Sequence, residues 1–447
     1  MLEQVTNFMI RLSQNRYLRA IRDGIVSTLP LIMVGSLFLI IAFPPLPASW
    51  GITIWAKQNA ATILLPYRMT MFIMSIYAVI GLGHSLAKSY DLDPVSGSII
   101  ATIGYLLTIM PQVVGEIWAV ERIVDGQTMR IIVEKGTDGA EMVQKGLGFV
   151  APMANLGSAG LFVGMIVGII SVEILRFTTK NNITIKMPDS VPPSVARSFE
   201  AIVPTLLVTL LVSTIVYWLK IDVHGLISIV VKPLVSATDS IFSVWLLVIL
   251  ITLFWSFGIH GVSIIGALAR PVWLILQEQN AAALAAGQTI PNVAPETFFQ
   301  WFIWIGGAGA TIGLATLLAF RSKSEFGKAL GKTVFLPAVF NINEPIIFGT
   351  PIVLNPILIP PFVLAPLANA TIAYIAVSTG MVNKLVALPP WTLPGPIGAF
   401  IATGGDYRGV ILNVLLIFLS IIIYYPFFIR YDAKLLAEEQ ENNTDKD

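Results

Sequence analysis

Residues 335–361 read FLPAVFNINEPIIFGTPIVLNPILIPP. The stretch is apolar enough for a bilayer, yet Pro337, Pro345, Pro351, Pro356, Pro360 and Pro361 forbid one continuous helix. Each proline lacks a backbone donor and crowds the preceding turn. A carboxylate, Glu344, sits at the centre between Asn341 and Asn343. A charge at mid-bilayer costs about 2.5–3.5 kcal/mol even on insertion-based scales, so such residues face protein or water. Irregular backbone survives at that depth only inside protein or beside a wet cavity. The segment is therefore expected to be a re-entrant hairpin whose polar tip walls a site for a polar substrate.

Outward from this stretch, composition agrees. Of 447 residues, 55% are hydrophobic and only 12% charged, against roughly 25% charged in soluble domains. The chain belongs in lipid. A net charge of +1 gives no electrostatic reason to expect a nucleic-acid partner. Cysteine is absent, which excludes disulfides, thiol nucleophiles and cysteine metal sites. Three dispersed histidines make a poor metal cage, and no phosphate-binding loop motif is present, so neither metal nor cofactor is expected. The apolar run at 25–43 is followed by PPLP rather than small residues, so no cleavable signal peptide is expected.

Residues 1–23 carry Arg11, Arg16, Arg19 and Arg22, with apolar residues at near-helical spacing, and predict an amphipathic helix on the cytoplasmic face. Spans of about 20 apolar residues are predicted at 25–43, 67–87, 95–114, 156–176 and 199–219, then 241–259, 262–276, 298–320, 363–383 and 410–429. Between 115 and 148 lies a polar excursion in which MRIIVEKGTDGAEMV predicts a β-hairpin around Gly136–Gly139. Residues 387–405 (PPWTLPGPIGAFIATGG at their core) form a second expected re-entrant hairpin. Basic loops at 176–198 and 321–332 are assigned to the cytoplasm. The expectation is an all-α polytopic membrane protein with about ten spans, two hairpins and both termini cytoplasmic. It divides into a first half (1–224), an amphipathic connecting helix (225–240), a second half (241–430) and a charged tail (431–447).

Glu344 has two readings: a substrate-hydroxyl acceptor, or a structural carboxylate that caps a half-helix or pairs with a lysine such as Lys332. Half-helix ends meeting at a midplane site are a recurrent transporter device. His260, in FWSFGIHGVSIIG, is either a cap at a span end or a proton-handling group in a cavity, since imidazole titrates near neutrality. Trp255 and Trp391 are interfacial anchors or flat faces for a pyranose ring. Asn292 is a loop residue or a substrate amide contact. His84 and His224 are expected at span ends. Asp239, Glu173 and Glu200 are expected to be solvated, and Asp406 is expected in a turn or paired with Arg408.

NINEPIIFGTPIVLNP, the upstream SFGIHG and the early IRDGIVSTLPLIMVGS together resemble the IIC components of the bacterial phosphoenolpyruvate-dependent sugar phosphotransferase system, in the lactose/cellobiose/diacetylchitobiose branch. The resemblance spans nearly the whole chain. It implies a bacterial cell-membrane homodimer, with residues 1–224 as the dimerising scaffold and 241–430 as the sugar-binding half, moving as a rigid body. It implies a β-linked disaccharide, phosphorylated at C6 by a separate phosphocysteine IIB protein. In it Glu344 would hold the reacting hydroxyl, His260 would aid the transfer, Trp255 and Trp391 would bound the sugar, and Asn341, Asn343 and Asn292 would lie at the site. No residue of this chain would itself carry phosphate. Two rivals remain: a proton-coupled sugar transporter using Glu344 and His260, and an intramembrane hydrolase, which needs a second acid or a metal near Glu344.

Overall fold

A computed structural model describes residues 10–444, except 13, 45, 48, 125, 126, 135, 136, 138, 139 and 189. Helix dominates, as the apolar runs require. Among the described residues, six helical stretches are long and apolar enough to cross a membrane, or seven if a pair bent by 86° counts as one. They are Arg16–Ala42, Ala60–Lys88, Ser158–Lys180, Val195–Trp218, Ile359–Ser378 and Tyr407–Glu441.

Helix α1 (Arg16–Ala42) begins with Asn15 accepting the backbone N–H groups of Tyr17 and Leu18. Arg16, Arg19 and Arg22 therefore occupy the first turns of the span itself, not a separate surface helix. Residues 1–9 lie outside the described set. Helices α2 (Met74–Lys88), α3 (Pro94–Leu106), α4 (Leu161–Lys180) and α5 (Ile202–Ser213) follow. Span 95–114 is shortened to α3, because strand pairing begins at Gln112.

The excursion is a small sheet system. Strands β1 (Gln112–Val114) and β5 (Gly148–Val150) pair antiparallel, while β2 (Ile117–Val124) lies between β3 (Gln127–Val133) and β4 (Glu141–Gln144). The predicted hairpin thus has the wrong partners: β3 and β4 each pair with β2 rather than with each other. Most of its expected turn around Gly136–Gly139 lies outside the described residues.

Helix α6 (Val223–Thr238) covers most of residues 225–240, and it meets α7 (Ile241–Ser256) at the 86° bend. At that bend Asp239 accepts the N–H groups of Val293 and Ala294, so it is not solvated. Glu173 likewise accepts from both Tyr17 and Tyr90 hydroxyls and from Arg176. Helix α8 (Gly261–Ala285) outruns its prediction by about two turns and carries Arg270 and Glu278.

The largest departure is at 298–320. A short helix (Glu296–Phe298) and one π-helical turn (Phe299–Ile303) stop at the glycine-rich run before α9 (Ile312–Arg321). Beyond it come α10 (Glu325–Val339), α11 (Glu344–Gly349), α12 (Ile359–Ser378), α13 (Gly395–Ala402) and α14 (Tyr407–Thr444). The segment 335–361, expected as a hairpin, comprises the end of α10, a break, the half-helix α11, irregular turns, and the start of α12. Several of its prolines start helices instead of breaking them: Pro345 opens α11, and Pro360 and Pro361 open α12. At a helix N-terminus the missing N–H costs nothing.

Buried apolar side chains form two large clusters. One gathers residues between Val244 and Leu435, the other mainly residues between Ala20 and Val172 together with Leu274, Ala281, Ala387 and Leu388. The candidate site lies within the first cluster and borders the second.

Candidate functional site

Three interrupted segments converge on one point. Asn341 takes a left-handed conformation (φ 63°), which asparagine tolerates better than most residues, and this ends α10. Its Oδ1 accepts the Gly306 N–H at 3.0 Å, and its Nδ2 donates to the carbonyls of Trp391 and Leu393, both at 2.9 Å. One amide thus ties the 304–311 break, the α10–α11 break and the 387–394 segment together. Asn343 donates from Nδ2 to the Ala308 carbonyl at 2.8 Å. At Gly307 (φ 94°) a Cβ would stand 2.3 Å from the Asn343 Cγ, so only glycine lets the two breaks pack.

These clamps leave a cavity of about 300 Å³, at the lower end of the size range of small-ligand sites. Glu344, Trp391, His260, Gln300, Arg270 and Glu296 supply its polar and aromatic walls, and Leu29 and Met33 of α1 close one side. Glu344 is the first residue of α11, and its side chain is 48% exposed, with His260 Nε2 at 3.8 Å from Oε1. It is neither adrift on the surface nor held by Lys332. Trp391 is 45% exposed and presents a ring to the cavity.

His260 caps α8 while also lining the cavity: its Nδ1 accepts the Ser263 N–H at 3.1 Å. A backbone N–H only donates, so in the neutral ring the proton sits on Nε2 and faces Glu344. The neutral ring thus turns a donor toward the cavity, and Glu344 stands beside it as an acceptor. Trp255 is 2% exposed and lies under the His260 ring, with centroids 4.4 Å apart. It supports the imidazole more than it faces the cavity.

Asn292 is not among the lining residues. Its Nδ2 donates to the Leu276 carbonyl and Gln279 Oε1, while its backbone is held by Asn280. This is the loop reading of Asn292, and the contact reading is withdrawn. Asn341 and Asn343 are buried, and their amides are spent on backbone, so they position the site.

Sequence reasoning missed the wall at 296–308. Arg270 Nε donates to Glu296 Oε1 at 2.7 Å, both side chains largely buried. Glu296 Oε2, Trp255 Nε1 and Trp301 Nε1 are buried without a hydrogen-bond partner among the described residues, and all three residues line the cavity. Three such unpartnered polar atoms on the residues of one cavity are open to a polar occupant. Two signals were legible: Arg270, a charge inside the predicted span 262–276, and the GGAGA run at 306–310. Glu296 is also the second acid that the hydrolase reading lacked. Its Oε1 is taken by the Arg270 guanidinium, so it does not stand opposite Glu344 as a free acid.

The profile of the family described as "Phosphotransferase system, EIIC" matches residues 22–366. The chain is 38% identical over 444 residues to a cellobiose-specific EIIC component of Geobacillus stearothermophilus, covering 97% of this chain and 94% of the relative. It is 36% identical to the lichenan permease IIC component of Bacillus subtilis (strain 168), covering 98% and 94%. Among solved structures it is similar to the transporter ChbC, the IIC component of the N,N'-diacetylchitobiose-specific phosphotransferase system. That likeness has a TM-score of 0.86 and 34% identity, with 98% of each chain covered. The chain belongs to the EIIC family of the phosphotransferase system.

Proposed function

We propose that this chain binds a β-linked disaccharide of the cellobiose or diacetylchitobiose type and moves it across the bacterial cell membrane. There it is phosphorylated at C6 by a phosphocysteine IIB protein on a separate chain. The observation that carries this reading is Glu344, standing at the start of a half-helix and opening into a cavity walled by Trp391 and His260. The sugar class follows from the names of the relatives.

In this mechanism the C6 hydroxyl donates to Glu344, and a bond to a charged acceptor contributes about 1.5–3 kcal/mol. Trp391 offers an apolar face to a pyranose ring. During transfer the S–P bond of the phosphocysteine breaks, its electron pair leaving with the thiolate. The O6–P bond forms, and the hydroxyl proton passes to Glu344. His260 donates from Nε2 to O6 or to a phosphoryl oxygen. Residues 241–430 carry the sugar as one body against residues 1–224, which pair with a second copy. Purified protein with Glu344→Ala should lose disaccharide binding; wild-type affinity in that variant would overturn the assignment.

The 3.8 Å contact of Glu344 with His260 also fits a proton relay in a secondary transporter. Uptake in vesicles without any IIB protein, abolished by an uncoupler, would favour that reading over phosphotransfer.

A further inference from the structure

Beside the sugar cavity lies a second cavity of about 180 Å³. The two share His260, Val262 and Arg270. The second adds Arg22 and Ser263, with the small residues Gly266 and Ala267 on its α8 wall. On α1, Arg22 precedes Leu29, a wall of the sugar cavity, by seven residues, or about 10 Å along the axis. The second cavity is therefore displaced toward the arginine-bearing start of α1, the end assigned to the cytoplasm by charge.

The donor inventory is that of an anion site. Arg22 gives Nε and Nη2 to Asp23 Oδ1, at 2.9 and 2.7 Å, which leaves Nη1. Arg270 gives Nε to Glu296, and neither of its Nη groups has a partner among the described residues. His260 is the shared wall, and its neutral ring carries a donor at Nε2. Asp23, Glu296 and Glu344 are the neighbouring carboxylates, each already next to a cationic or donor group. Open guanidinium edges suit phosphate oxygens, to which arginine donates in a fork. Charge on a transferring phosphoryl group spreads over three oxygens, and catalysis there is largely positioning and electrostatic stabilisation.

We infer that this second cavity is an oxyanion subsite for the phosphoryl group in transfer and in the sugar 6-phosphate product, with Arg22 and Arg270 as its cationic anchors. The inference rests on the phosphotransfer reading above. It has one structural consequence: Arg22 belongs to α1, whereas Arg270 belongs to α8 and His260 caps it. The subsite is complete only while those two helices are adjacent, so phosphoryl transfer is tied to one arrangement of the molecule.

The test uses the full chain purified in lipid nanodiscs, titrated calorimetrically with cellobiose and with cellobiose 6-phosphate. Arg22 does not line the sugar cavity, so Arg22→Gln should leave cellobiose affinity within about twofold, which also reports folding. It should weaken cellobiose 6-phosphate at least about tenfold, a difference of ~1.4 kcal/mol. Arg22→Lys, which keeps the charge without the fork, should recover part of that loss, and wild-type affinity for the phosphate ester should fall as salt rises. Arg22→Gln that binds the ester like wild type, or that weakens both sugars equally, would overturn the subsite, as would a wild-type protein that ignores the ester. Phosphorylation with phospho-IIB separates the two levels. A normal rate in Arg22→Gln sinks the subsite and leaves the transport reading standing, whereas no phosphorylation by wild type sinks the reading and the subsite with it.

Discussion

In the proposed mechanism two side chains at the site perform two jobs each, and substitutions can separate the jobs. Glu344 starts a half-helix, where a carboxylate is favoured by the exposed N–H groups whether or not sugar binds. Glu344→Gln retains shape and removes charge. It should weaken disaccharide binding by about ten- to a hundredfold, matching the 1.5–3 kcal/mol of a charged hydrogen bond, and slow phosphorylation further because amides accept protons poorly. Equal effects on binding and transfer would count against its role as the proton acceptor. His260 caps α8 and faces the cavity. Asparagine is a strong N-cap residue, so His260→Asn should keep the melting temperature within a few degrees while lowering the transfer rate. An unchanged rate would reduce His260 to a cap. Both residues were legible in the sequence because a charge and an imidazole stand out in apolar surroundings. Arg270 and Glu296 stand out too, but they lie 26 positions apart. Their pairing depends on a broken segment that apolar length alone conceals.

Elements were legible where one run of apolar residues makes one helix, and illegible where glycine overrides length. The run from Phe298 to Phe320 satisfies the span criterion, yet Gly306, Gly307 and Gly309 adopt φ of 79°, 94° and 84°. Hydropathy does not register backbone sign, so the third interrupted segment stayed hidden while the proline-marked ones were visible. Gly307→Ala should destabilise the fold by about 1–3 kcal/mol, the cost of a strained backbone residue, because the added Cβ also meets Asn343. It should weaken sugar binding as well, since Asn343 precedes Glu344. A melting curve and a sugar affinity both at wild-type values would show that the break does not support the cavity. The turn before α14 is a second, electrostatic support. Burial raises the pKa of Asp406, but the Arg408 guanidinium and the N–H groups of Asn383 and Arg408 outweigh it and leave the carboxyl below its ordinary value. A lowered folded-state pKa stabilises fully above the unfolded value, about 4, and the gain disappears as pH falls through the folded one. Asp406→Asn should therefore lose stability near neutrality and flatten the acid limb of a melting-temperature profile below about pH 4. An acid limb identical to wild type would exclude Asp406 from it.

Across the whole molecule, α8 is where the two buried clusters touch: its Leu274 and Ala281 pack with residues of the first half. Deeper along α8, Glu278 Oε2 accepts the Ser158 N–H at 2.7 Å. A Cβ on Gly157 would stand 2.7 Å from Glu278 Oε1, so the glycine is what admits the carboxylate. Rigid-body carriage of residues 241–430 past residues 1–224 has to break this contact in every cycle, whereas a transporter that only opens and closes a local gate never disturbs it. The chain contains no cysteine, so Ser158→Cys with Glu278→Cys places the only two thiols on either side of the contact. The unbridged pair should still take up sugar. Joined by a short bismaleimide, it should lose uptake while binding disaccharide within about twofold, a difference under ~0.5 kcal/mol, because neither residue lines the cavity. Uptake at the unbridged rate, with bridging verified by mass spectrometry, would mean that the two halves do not part at this point, and a local gate would replace the moving half.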